Sequence, residues 1–184
     1  MPQAHSFAEL LEPWHDFYLL AGTVSATLMG LLFVAMSIHW DVVLHDTKAH
    51  LHAIALEAFG SFIVVAFLSL MMLTPVGTGR PIGLGLFVLG AVRLSIALRQ
   101  ARKVWGTDDK SFSRGGVVFR AVLVPLAFAF LAAGGLLIFK LQLDLGISLL
   151  TGAVFMLLAM GARASWDLLV LVGRYKMKRD QRTS

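Results

Sequence analysis

Five stretches of this 184-residue chain are each apolar for long enough to cross a lipid bilayer. They cover residues 17–38, 53–73, 82–98, 117–139 and 146–163, and the last continues as a helical extension to about 173. A helix rises 1.5 Å per residue, so about 20 apolar residues traverse roughly 30 Å of hydrocarbon. Five such runs leave almost nothing for a soluble domain. The expected fold is all-α, a polytopic transmembrane bundle of five spans forming one domain over 1–184, with 174–184 a basic cytoplasmic tail. Four spans with 82–98 as a re-entrant segment would also fit the charge pattern. Five is preferred, because an apolar run of that length with one arginine near its end can still cross.

Composition agrees with this placement. The hydrophobic set makes up 58% of the chain, where a soluble domain is nearer roughly 45–50%. Prolines sit where spanning helices begin or end: Pro13 precedes the first run, Pro75 follows the second and Pro81 opens the third. Only Pro125 falls inside a span, which membrane helices tolerate when a neighbour satisfies the freed carbonyl. Residues 1–16 hold Glu9, Glu12 and Asp16 but no Lys or Arg. A cleaved signal peptide has a basic start, so the first run is expected to be a permanent helix.

The net charge of +5 comes from basic residues that flank the spans. Arg99, Arg102, Lys103, Lys110 and Arg114 follow the third run; Arg174, Lys176, Lys178, Arg179 and Arg182 form the tail. With five spans these segments share a side with Lys48, and the basic-loop rule makes that side cytoplasmic. The N-terminus is then outside, in a cell inner membrane. The basic flanks predict contact with anionic lipid headgroups rather than nucleic acid. Trp14 marks the outer interface; Trp40, Trp105 and Trp166 mark the inner one.

Near that inner boundary lie several charges that apolar runs do not need. Glu57, Arg93, Arg120, Arg163 and Asp167 are the candidates. Arg163 and Asp167 stand four apart, so they are neighbours on one helix face. They lie beyond the membrane if the fifth helix leaves the hydrocarbon near 161–163, and inside it if that helix is long and tilted. The charges either snorkel and pair between helices or shape a vestibule at the mouth of a pathway. Glu57 has Arg93 and Arg120 as candidate partners.

The first run carries Gly22, Ala26 and Gly30 at four-residue spacing, a pattern that lets helices approach closely in lipid. Thr23 and Thr27 sit beside this stripe, and Glu57 with Ser61 shares a face of the second helix. These are the candidate pathway residues. Ala129, Ala133 and Gly134 on the fourth run read as packing. The stripe also motivates a homo-oligomer.

The loop "HWDVVLHDTKAHLH" holds His39, His45, His50 and His52. His45, His50 and His52 are competent metal ligands, but their spacing matches no metal motif, and interfacial polar roles are expected. Asp46 or Thr47 is expected to cap the second helix. The absence of cysteine excludes disulfides and thiolate sites. No phosphate loop, H-E-x-x-H or G-x-S-x-G is present, so neither a cofactor nor enzymatic chemistry is expected.

The stretch "WHDFYLLAGTVSATLMGLLFVAMSIH", residues 14–39, resembles a first-helix motif of small bacterial membrane proteins of unassigned function. There an aromatic pair precedes a small-residue helix ending G-L-L-F-V. The resemblance covers about one span and implies a prokaryotic polytopic inner-membrane protein; it carries no ligand or catalytic residue. The functional expectation is a homo-oligomeric channel or small-solute pathway. The alternative is a non-transporting scaffold or accessory subunit.

Overall fold

A computed structural model of the chain describes residues 11–38, 50–74, 79–105 and 114–183. A short 3-10 turn, Glu12–Trp14, leads into α1, His15–Ile38. Then follow α2, His50–Leu73; α3, Arg80–Trp105; α4, Arg114–Phe139; and α5, Leu143–Thr183. Among the described residues there is no strand. Five helices are long and apolar enough to cross a bilayer, which is the fold of a multi-pass integral membrane protein. The third run is a full 26-residue helix, not a re-entrant segment. Pro125 lies inside α4 without ending it.

The helices do not pack in chain order. Their spatial order is α1, α2, α5, α4, α3, so the last helix inserts between the second and the fourth. Consecutive α2 and α3 scarcely meet along their backbones. The reason lies in where small residues allow backbones to approach, since lipid supplies no hydrophobic force between helices. On α3 and α4 the glycines face each other. A Cβ added at Gly90 would lie 2.5 Å from the backbone N of Ala132, and one at Gly83 would lie 2.5 Å from that of Phe139. Gly135 meets the backbone of Phe87 and Gly83 in the same way.

A tight turn joins α4 to α5. Leu141 adopts a left-handed conformation, φ 64°. Its N–H donates to the Ile138 carbonyl at 3.0 Å, and that of Gln142 donates to Leu137 at 2.9 Å. These are the two bonds of a Schellman cap, with leucine where glycine is usual. The reversal brings Gly134 against Leu150 and Gly146 against Ile138, so α4 and α5 lie antiparallel and close.

Two buried clusters result. The larger joins Tyr18, Val65, Leu68, Leu86, Leu131, Ile138, Leu150 and Leu157, among others, across all five helices. The smaller joins Leu32 of α1, Ile54, Ala55, Ala58 and Phe62 of α2, and Ala164 and Leu168 of α5. It lies at the end from which the basic α3–α4 connection and the tail emerge, hereafter the basic end.

Candidate functional site

The expected pathway residues divide between two places. Thr23 and Thr27 are exposed on the outward face of α1, together with Ala26, Gly30, Val34 and Ser37. Their hydroxyls are satisfied within the helix: Thr23 donates to the Leu19 carbonyl and Thr27 to that of Thr23, each at 2.8 Å, and Ser37 donates to Phe33 at 2.9 Å. Such i−4 bonds let a hydroxyl face lipid or a neighbour. The stripe of small residues splits likewise. Gly22 packs within the chain, where an added Cβ would lie 3.0 Å from the Cβ of Ser69; Gly30 has nothing within 4 Å of one.

Ser61 points the other way. It is buried, and its hydroxyl donates to the Glu57 carbonyl at 2.9 Å. The structure therefore does not bring Thr23 and Thr27 together with Glu57 and Ser61 inside one protomer.

The charges do converge on one level. Gly161 of α5 packs on the ring of Phe62, and the Arg93 guanidinium of α3 abuts Gly60. In this antiparallel register Glu57, Arg93, Arg163 and Asp167 all fall near the basic end. Glu57 is half-buried, Arg163 exposed and Asp167 half-buried; neither Glu57 nor Arg163 is without a partner. The fifth helix does not leave the bundle at Arg163. Ala164 and Leu168 remain buried against α1 and α2, so both charges flank the apolar bundle. Trp166, 67% exposed, turns outward between them.

Arg93 is the most constrained of the set. It is half-buried, and its Cζ lies 5.3 Å from the centroid of the Phe128 ring, a cation–π distance. A Cβ at Gly60 would lie 2.8 Å from one terminal nitrogen. Its Nε is buried and has no hydrogen-bond partner. An arginine at the centre of a membrane helix costs about 2.5–3.5 kcal/mol by insertion scales. This one lies nearer the end of its span.

Some expectations fall where nothing can be compared. His39, Trp40, His45, Asp46 and Thr47 lie outside the described residues. His50 and His52 stand in the first turn of α2, and Arg120 on α4, with their side chains outside the described residues. Among the described residues no three His, Cys, Asp or Glu side chains group as metal ligands.

Two polar contacts are absent from the sequence reading. Ser25 is buried and donates across helices to the Phe62 carbonyl at 2.6 Å. The Tyr18 hydroxyl, also buried, lies 3.5 Å from that of Thr151. Ser25 stands four residues beyond Ala21 on the inward face of α1, but serine in an apolar run looks the same on either face. Comparison with protein-family models, with curated proteins and with solved structures gave no match.

Proposed function

We propose that the chain is a membrane protein that assembles from several copies into a pathway for ions or small solutes, with the outward face of α1 along the conduit. The observation that carries this reading is the exposure of Thr23, Ala26, Thr27, Gly30 and Ser37 on one face of the least enclosed helix. Only 17% of the α1 span is buried, against 28–50% for the other four. Large apolar side chains, Phe62, Leu68, Leu86 and Leu131 among them, fill the protomer's interior. A hydroxyl-lined route is therefore sought between copies rather than within one. Small residues at the seam allow the close approach such an assembly needs.

In this reading Glu57, Arg163 and Asp167, on the two helices that α1 meets, bias which charged solutes approach one mouth, while Arg93 and Arg120 add charge at the same end from α3 and α4, farther from α1. That mouth is cytoplasmic by the basic-loop rule, in the inner membrane of a bacterium if the first-helix resemblance holds. Reconstituted vesicles should pass ions or small solutes, and Glu57→Gln should alter the rate or the sign selectivity. Flux equal to that of protein-free vesicles for ions of both signs would overturn the pathway. A strictly monomeric species by native mass spectrometry in mild detergent would overturn the assembly.

A second reading rests on α5. That helix runs unbroken for 41 residues to Thr183, carrying Arg174, Lys176, Lys178, Arg179 and Arg182 beyond the apolar section. A continuous basic arm suits an accessory subunit that docks on an acidic partner. It calls for a copurifying protein that is lost when 174–184 are removed.

A further inference from the structure

Helices α2 and α3 are joined in sequence, and two long side chains between them rest on glycines. Met71 of α2 lies over Gly85 of α3, its Cε 3.6 Å from where a Cβ would be, and Arg93 of α3 lies over Gly60 of α2. The seam between them is where the guanidinium sits, part exposed, with Phe128 of α4 beneath it.

Depth decides what this cation requires. Along α2, Gly60 lies about 9 Å inside the start of the apolar span at Ile54. Along α3, Arg93 lies about 9 Å inside the end of its span at Arg99. The contact with Gly60 holds the guanidinium across the seam toward α2. The Nε finds no acceptor from the protein, and an arginine within an apolar span is stabilised by an anionic partner. The planar fork of arginine suits the oxygens of a phosphate. Beyond the protein's own carboxylate near this seam, Glu57, three residues before Gly60, such oxygens are supplied by the headgroup layer at the basic end.

We propose that the α2–α3 seam at Arg93 binds the phosphate of an anionic lipid headgroup, drawn inward and held by the guanidinium between Gly60 and Phe128. The site is separate from the outward face of α1 and stands whether or not the chain conducts. Local thinning of the bilayer around a buried arginine is one means by which headgroups come within reach of it.

The test uses the full chain in mild detergent, titrated with phosphatidylglycerol or phosphatidylcholine and read by native mass spectrometry. Gly60→Ala is the principal variant. Its methyl meets only the tip of the Arg93 side chain, and alanine favours a helix over glycine, so the bundle survives while the guanidinium is displaced. Gly60→Ala and Arg93→Gln should each weaken the tightest phosphatidylglycerol about tenfold, the loss of one charge-assisted hydrogen bond. Phosphatidylcholine should bind alike to all forms. Glutamine at Arg174, Lys176, Lys178, Arg179 and Arg182 should leave that tightest lipid in place. If Arg93→Gln fails to fold, Gly60→Ala decides. Unchanged or tighter phosphatidylglycerol in Gly60→Ala would overturn the site, as would a loss confined to the tail variant. Displacement of the lipid by millimolar inorganic phosphate would overturn the headgroup as its source.

Discussion

At the scale of single residues, what a glycine faces decides what it does. The position of a Cβ at Gly90 is taken by the backbone of Ala132, and backbone cannot move aside as a side-chain tip can. Gly90→Ala should therefore separate α3 from α4 and cost about 1–3 kcal/mol, the usual penalty of overpacking. The fall in unfolding midpoint, followed by tryptophan fluorescence in detergent, measures it. Gly30 offers the opposite case, since open space surrounds it. Gly30→Ala should leave the unfolding of a monomer unchanged or raise its stability by up to about 1 kcal/mol. Any loss of higher-order species on native electrophoresis would then report a second copy at this face. Leu141 is a third case. A left-handed backbone costs a side chain about 1–2 kcal/mol, which Leu141→Gly would relieve, so that variant should unfold at higher temperature.

At the scale of helices, the elements outrun their apolar stretches. The third apolar run ends at 98, yet α3 continues to Trp105; the fifth thins out by 173, yet α5 continues to Thr183. Hydropathy reports only where hydrocarbon ends. The residues that follow, Arg99, Gln100, Arg102 and Lys103, or Lys176, Met177 and Lys178, are good helix formers, and cations suit a helix C-terminus. Hydroxyls behave differently by the bond they make. Ser25 ties α1 to α2 through the Phe62 carbonyl, so Ser25→Ala should cost about 0.6–1.7 kcal/mol. Thr23 and Thr27 bond only within α1, so their valine variants should unfold as the parent does. If all three substitutions prove equally costly, the outward placement of the threonines is wrong.

At the scale of the whole molecule, five crossings put the two chain ends on opposite sides. A reporter at the N-terminus should be active outside and one at the C-terminus in the cytoplasm; both on one side would remove a crossing. Removal of 174–184 should leave the unfolding midpoint of the remainder unchanged, because among the described side chains the buried clusters reach no further than Leu168. Helix number, rough limits and the basic end were all legible in the sequence. Bilayer thickness sets a length that any spanning run must meet, and Lys and Arg gather on one side of it. The order α1, α2, α5, α4, α3 was not legible, nor was the outward face of α1, nor the turn of Arg93 onto Gly60. In water, hydrophobic periodicity tells which face of a helix is inside. In lipid both faces are apolar, and the choice falls to shape: which glycine lets which backbone or guanidinium come near. That is a relation between residues far apart in the chain, and only the assembled bundle contains it.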